Sequence, residues 1–325
     1  MVQLTLFAKE NTNMDSILSH YNYLFLIFGC TLILVFLIKL LQQRLKHVLN
    51  ALYVAVITAF LVISFSSFAV FLYQKNVLNV SDQIRDVVRK NNRAKTNRLI
   101  AQDKTSVTEI KAMVMREAQK YHQLKKQGFV SIPNQSILLP IYNDAYSNTG
   151  LNAGANYANR SQDDPQGEKL PIMGQGNYGL AAHNFNDGHT GFSGLQESTN
   201  HDKPYFENGQ LKKSCWLNGA DVLLANNLGI YRYVIDGQDT VKETDTKILN
   251  ATQTPKLTII SCLFPAVKYR IITNAKLVNT YTWSHAPKKY IDQFNLKIQT
   301  TNAHVNWYNP GVEEGANGDA GGTKK

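Results

Sequence analysis

The chain has 325 residues and a net charge of +10 from 34 Lys and Arg against 24 Asp and Glu, so it has room for one large or two modest domains and calls for a polyanionic neighbour, nucleic acid or a membrane surface. A hydrophobic content of 44% excludes a disordered chain, and 20 Gly with 9 Pro exclude a collagenous one. Three cysteines are too few for a disulfide scaffold, but the odd count leaves room for a free thiol with chemistry of its own.

Residues 1–20 read as an N-terminal tail whose only charges are Lys9, Glu10 and Asp15. They lack the basic n-region of a cleaved signal peptide, the competing reading of the apolar stretch that follows. Ser16 to Ile38 carries no charge, and Val48 to Gln74 carries none either. Each is long enough to cross a bilayer core of roughly 30 Å as a helix, so residues 21–41 and 51–73 are expected to be two transmembrane helices joined by a short basic loop, 42–50. Lys39, Arg44 and Lys46 between them favour a cytoplasmic hairpin, whereas Lys75, Arg85, Arg89 and Lys90 pull the other way. Charge counting leaves the orientation open.

Residues 74–130 hold 13 Lys and Arg against 5 Asp and Glu, a net +8, so most of the chain's charge lies just beyond the membrane. This removes the need for a nucleic-acid partner and predicts a basic helical stalk, residues 74–128, that is either simply solvated or lies along anionic lipid. Val107, Ile110, Val114, Ala118 and Tyr121 recur at helical spacing, a stripe suited to packing on the following domain, with Gly128 as the expected stop.

From Phe129 the pattern becomes short β-type runs. They are Phe129–Ile132, Ser136–Ile141, Tyr178–His183, Ala220–Ala225, Gly229–Ile235, Lys256–Cys262 and Arg270–Thr273. Many short strands with few long helices predict a sandwich or barrel. After Trp283 the strand signal fades, and Gly311–Lys325 reads as a disordered tail, so residues 286–325 are expected to be a C-terminal extension.

Three residues stand at strand ends: His183, Cys262 and Arg270. A thiol that closes an apolar strand emerges at a barrel rim, where a histidine can move protons and an arginine can face a developing oxyanion. Taken singly, each has a plainer reading as a small core residue, a satisfied polar group or a surface cation.

Thr258-Ile-Ile-Ser-Cys262 with Arg270 downstream resembles the sortase signature Thr-Leu-x-Thr-Cys with its arginine. Asn177-Tyr-Gly-Leu-Ala-Ala-His183 resembles the strand that carries the sortase histidine, and the likeness extends over residues 129–280, with class A, the housekeeping type, the nearest pattern. The resemblance implies a mainly β fold: a closed eight-stranded sortase-type β-barrel with short helices over residues 129–285, preceded by the two transmembrane helices and the stalk. It further implies a transpeptidase on the outer face of a Gram-positive membrane, which cleaves a Leu-Pro-x-Thr-Gly sorting signal through a thioacyl enzyme. The partners are then surface proteins bearing that signal, lipid II or a peptidoglycan amine as acceptor, and membrane lipids. Cys262 would be the nucleophile, His183 the general acid and base, and Arg270 the group that holds substrate carbonyls and the oxyanion. Leu151, Ala158, Ala181, Ile260 and Ser261 match substrate-groove positions, each of which is also an ordinary core position.

The resemblance implies no required cofactor. Some family members bind calcium through the loop before the histidine strand, and Asp163, Asp164 and Glu168 are the candidates here, too few for an ion that takes roughly 6–8 oxygen ligands. Ile259 and Ser261 depart from the family's leucine and threonine. Cys215 lies in a long segment, His201 to Asn218, and is expected to be free or partly buried, since a disulfide to Cys262 would block the nucleophile. Three other readings stand beside this one: a pilin-polymerising sortase, though the only Asp-Pro, Asp164-Pro165, is misplaced for its lid; a cysteine peptidase or amidase acting on cell-wall peptides; and a membrane-anchored β domain that binds wall polymer.

Overall fold

In a computed structural model of the chain, residues 48–74, 80–117, 124–197, 205–305 and 313–316 are described, together with Ile33 and Ile38. Residues 9–84 and residues 85–325 fall into separate compact units.

In the first unit, helix α1 (Val48–Gln74) has no charged side chain and is apolar on all sides. Its segment Tyr53–Leu72, with a mean hydropathy of 2.4, is the one helix among the described residues that is long and apolar enough to cross a membrane. A lipid-crossing segment must satisfy every backbone N–H and C=O within one unbroken helix, which takes about 20 residues. The expected pair of transmembrane segments is therefore corrected: among the described residues a single helix has the length and apolarity of a membrane anchor. The first expected span, 21–41, lies outside the described residues apart from Ile33 and Ile38.

The basic helical stalk is corrected as well: its second helix belongs to the barrel unit. Residues 74–128 contain helices α2 (Val80–Gln102) and α3 (Val107–Met115). Ser106 caps α3 in a reciprocal box with Glu109, and its Ile110 and Val114 are buried against Phe129, Leu138, Leu223 and Ile230 of the barrel. The helical stripe was a packing face. In α2, Arg89 Nη1 donates to Gln135 Oε1 at 2.5 Å and Arg93 to Asn134 at 3.3 Å, which ties the helix to the turn after the first barrel strand. Gly128 stops no helix: α3 ends at Met115, Ala118 and Tyr121 lie outside the described residues, and Gly128 opens a strand. A Cβ there would sit 1.9 Å from Ala225 O, so only glycine lets the barrel close at that seam.

Eight strands form the closed barrel that the sequence led us to expect. In chain order they are β1 (Gly128–Ile132), β2 (Ile137–Tyr142), β3 (Ala155–Tyr157), β4 (Asn177–Ala181), β7 (Asp221–Ala225), β8 (Gly229–Lys242), β9 (Lys256–Cys262) and β10 (Tyr269–Thr282). A hairpin outside the barrel, β5 (Phe206–Glu207) and β6 (Gln210–Leu211), lies in the long segment around residue 205. The barrel order is β1-β2-β3-β4-β9-β10-β8-β7, with β7 returning to β1. Most pairs are antiparallel, but β2–β3 and β4–β9 are parallel. Short α4 (Asn148–Ala153) provides the crossover into β3. Alternate residues such as Val130, Leu139, Leu180, Ile259 and Tyr233 fill the interior.

Beyond β10, short helix α5 (Lys288–Ile291) lays Tyr290 and Ile291 on the same outer patch as α3. The reading of 311–325 as a disordered tail is corrected for residues 313–316, where Gly315 bridges Thr300 and Glu314 is wholly buried. A charged, glycine-rich composition concealed a buried ion pair.

Candidate active site

Three neighbouring strands align the three strand-end residues. Parallel pairing of β4 with β9 sets Leu180 opposite Ile259 and Ala181 opposite Ile260, and Ala182 N donates to Ile260 O at 3.4 Å. Continued two residues, this register brings His183 level with Cys262. On the other side of β9, antiparallel pairing sets Cys262 directly opposite Arg270. Side chains two apart share a face, so Cys262 and Arg270 lie on the same side of the sheet as Ala181, Ile260 and Ile272, and His183 follows Ala181 by two residues, just beyond the paired end of β4.

Polar side chains fix the ends of these strands. Asn184 Nδ2 donates to Cys262 O at 2.8 Å and to Gln196 Oε1 at 2.9 Å. Gln196 in turn donates to Phe264 O at 2.8 Å and accepts from Phe264 N at 3.0 Å. The backbone on both sides of the thiol is thereby held. Cys262 is half-buried and in no disulfide, and Cys215 is also free and is exposed, where partial burial was one of the expected outcomes.

His183 Nε2 lies 3.1 Å from Asn152 Oδ1, and its ring centroid is 5.3 Å from that of Phe185. An amide oxygen only accepts, so Nε2 carries the hydrogen in this bond and Nδ1 is left to take a proton. Burial, helped by the charge of His304, pushes the imidazole down from 6.5 to about 4, so at neutral pH the ring is an uncharged base. A folded-state value below the unfolded one contributes stability that is complete above pH 6.5 and lost as pH falls toward 4. Thermal melts between these limits are expected to show a falling Tm for the native chain and a flatter profile for His183→Gln; parallel profiles would contradict a neutral buried ring.

Arg270 is buried, and its guanidinium is aimed by three acceptors. Nη2 reaches Glu243 Oε2 at 2.9 Å, and Nη1 reaches Val267 O at 2.6 Å and Tyr269 O at 3.0 Å. The fixed cation therefore stands on the loop that follows the cysteine.

Of the expected groove positions, Leu151 from α4, Ala158, Ala181 from β4 and Ile260 from β9 meet in one apolar cluster with Ala145, Leu249 and Ile272. Gly179 allows this approach, since a Cβ there would lie 2.3 Å from Ala158 O and 2.4 Å from Leu249 Cδ2. The cluster is buried, covered by Leu249 of the turn Thr246–Leu249. Ser261 is not part of it: it alternates with Ile260 and Cys262 and is buried, on the same side of β9 as Leu257 and Ile259, which face the barrel interior.

The calcium candidates do not gather. Both Asp164 oxygens accept loop amides, Oδ1 from Glu168 N at 3.0 Å and Oδ2 from Lys169 N at 2.9 Å. Those bonds, Lys169's first, hold its carboxyl below the usual carboxylate range. Among the described residues no three His, Cys, Asp or Glu side chains converge as a metal-binding group.

Asn152, Asn184 and Gln196 went unnoticed in the sequence. None has a spacing signal, because each acts on a residue 31 to 78 positions away through a contact that only the barrel closure creates.

Residues 130–278 match the family model of the sortase domain. The chain is 29% identical over 233 residues to Sortase A of Streptococcus agalactiae, covering 71% of this chain and 83% of that protein. Among solved structures it is similar to sortase A of Listeria monocytogenes, with a TM-score of 0.40 and 20% identity over 52% of this chain and 96% of that one. Sortase C-3 of Streptococcus pneumoniae gives a TM-score of 0.35 and 19% identity over 62% and 87%. The segment that matches the sortase-domain model includes His183, Cys262 and Arg270.

Proposed function

We propose that this chain is a class A type sortase that cleaves a Leu-Pro-x-Thr-Gly signal between Thr and Gly and transfers the protein to an amine of lipid II or peptidoglycan. The observation that supports the reading is the register of β4, β9 and β10, which pairs Cys262 with Arg270 and Ala181 with Ile260, two residues before His183 and Cys262. Cys262 Sγ, having given its proton to His183, attacks the Thr carbonyl carbon, and the oxyanion that forms faces the Arg270 guanidinium. The C–N bond then breaks, the glycine amine leaves with the proton from His183, and a thioester remains on Cys262. The acceptor amine attacks that thioester and passes its proton to His183, a new amide forms, and the thiolate departs. The apolar cluster of Leu151, Ala158, Ala181 and Ile260 takes the Leu-Pro portion once Leu249 moves aside, because small walls allow an extended chain close approach. No metal or other cofactor enters these steps.

The test is the full-length protein in detergent with a Leu-Pro-x-Thr-Gly peptide and an amine acceptor, the products read by mass spectrometry. A Thr-to-amine ligation product is the expected result. Hydrolysis with no ligation over a range of amines would assign the chain to cysteine peptidases, and no cleavage at all would remove the enzymatic reading.

A further inference from the structure

The long segment that carries the β5–β6 hairpin lies outside the barrel sheet, yet one of its side chains reaches the back of the site. Tyr205 is 0% exposed and forms an apolar cluster with Leu263 and Ile271, against which Phe206, Ala266 and Tyr269 also pack. Leu263 follows Cys262 in the chain, and Ile271 follows Arg270. Ile271 pairs with Ser261, so these two lie on the opposite side of the sheet from Cys262 and Arg270. Tyr205 therefore stands behind the Cys262–Arg270 pair, against both ends of the loop that runs from one to the other.

That loop, residues 263–269, aims the Arg270 guanidinium through Val267 O and Tyr269 O. Tyr269 O also accepts Leu263 N at 3.1 Å, which closes the loop on itself. Two grips hold it in place. Gln196 engages the N–H and C=O of Phe264, and Tyr205 supports Leu263 while its neighbour Phe206 meets Tyr269 edge to face, with ring centroids 5.0 Å apart.

The Tyr205 hydroxyl joins the two grips. It accepts the N–H of Glu197, the residue after Gln196, at 2.9 Å and donates to Gln238 Oε1 at 3.2 Å. Gln238 is 1% exposed, and its Nε2 donates at 2.7 Å to the carbonyl of Leu195, the residue before Gln196, and at 2.8 Å to Thr273 Oγ1. Ser214, from the same long segment, pairs its backbone with that of Gln238 in both directions, at 2.9 and 2.8 Å, and its hydroxyl donates to Glu197 Oε2 at 2.7 Å. Gln196 is thus fixed through both of its chain neighbours. A satisfied buried network of this kind rigidifies what it holds.

We propose that Tyr205 is a positioning residue that acts through Arg270: by holding residues 263–269 from behind, it keeps the guanidinium aimed at the atoms that react at Cys262. The proposal rests on the reading that Cys262 and Arg270 act together in the ligation described above, and it gives the long segment a task in that reaction. A misplacement of about 1 Å made away from the chemistry can cost about 10²-fold in rate. Tyr205→Phe keeps the ring on Leu263 and loses only the hydroxyl, so a smaller loss in kcat/KM, about 10-fold, is expected.

Two measurements on the full-length protein in detergent test this, and the first needs no turnover. In Tyr205→Phe, hydrogen exchange read by mass spectrometry is expected to speed up about 10-fold or more over residues 263–269, while β1 and β2 exchange as in the native protein. An unchanged loop overturns the proposal. Faster exchange throughout the barrel also overturns it, since Tyr205 would then support the whole fold and not the loop. The second measurement is a double-variant cycle on ligation. In the Arg270→Lys background, Tyr205→Phe is expected to cost less than about 2-fold in kcat/KM, because the group it aims is already gone. Equal losses in both backgrounds overturn the action through Arg270. A native chain that does not ligate counts against the proposed function, and the exchange result then decides the role of Tyr205 by itself.

Discussion

Cys262→Ala is expected to lower kcat/KM for ligation by about 10⁴-fold or more while leaving the barrel folded. The thioester of the proposed mechanism has no other place to form: the other free thiol among the described residues, Cys215, is exposed and lies outside β4, β9 and β10. Structure is spared because the interactions that fix this position are made by the backbone. Asn184 bonds the Cys262 carbonyl, and the pairing with Arg270 is a strand contact, and Ala preserves both. A half-buried sulfur lost at a strand end leaves little cavity, about 1 kcal/mol at most. Arg270→Lys provides the contrast. A lysine ammonium cannot reproduce the planar fork that reaches Glu243, Val267 and Tyr269 together, so ligation is expected to fall about 10²-fold with some loss of stability. Peptide ligation followed by mass spectrometry, alongside thermal melts, reads both quantities. Cys262→Ala that ligates at the native rate would end the covalent mechanism, and Arg270→Lys at full rate would remove the oxyanion role from that side chain.

Strand ends were legible in the sequence where β-branched runs meet a turn. Lys256–Cys262 was bounded correctly because Leu257-Thr-Ile-Ile is flanked by proline before and Phe-Pro after. The second half of β10 was not, since Lys276–Thr282 faces solvent on several positions and its hydrophobic alternation is diluted. Three-residue β3 is too short to carry a period at all. The three polar strand-end residues could be picked out one by one, but their alignment depends on a parallel β4–β9 register, which no local pattern encodes. Ser261 was assigned to the groove by its match to the family's threonine position, and the period of two in a strand sends it to the face opposite Ile260. The helical stripe of Ile110 and Val114 was legible as a face for packing on the following domain, and it does pack there; periodicity marked the buried face without naming the barrel residues that cover it. The acids of residues 313–316 escaped for a different reason. Glu313 and Glu314 sit in a glycine-rich acidic stretch whose composition is that of a solvated tail, and their burial depends on partners that the fold supplies, Lys126 for Glu314 and His304 for Glu313.

That burial sets up the largest stability effect. Lys126 and Glu314 form an ion pair at 2.5 Å with both side chains fully excluded from solvent, and Tyr142 donates its hydroxyl to the same Glu314 oxygen at 3.1 Å. The ammonium also lies 4.8 Å from the Phe129 ring centroid and 5.5 Å from that of Tyr142. Glu314 Oε2 is buried without a hydrogen-bond partner among the described residues, so the carboxylate depends on Lys126 for most of its compensation. Lys126→Met should therefore cost about 3–5 kcal/mol, because it strands a buried anion, whereas Lys126→Met with Glu314→Leu should restore most of that stability by removing both charges. The pH dependence follows from the carboxyl itself. Burial raises it above its ordinary value, and Lys126, Tyr142 and Arg116 only partly oppose that. A raised carboxyl in the folded state contributes stability that is complete below 4.5 and lost as pH rises through the folded value. Without Lys126 nothing of comparable strength opposes the rise, so the Lys126→Met variant should be closest to native in acid and fall furthest behind at neutral pH. Denaturant unfolding at pH 4 and pH 7.5 measures this directly. A deficit independent of pH would mean that lost packing around Phe129, and not the stranded charge, sets the cost, and a double variant no better than the single one would show that the pair is more than its two charges.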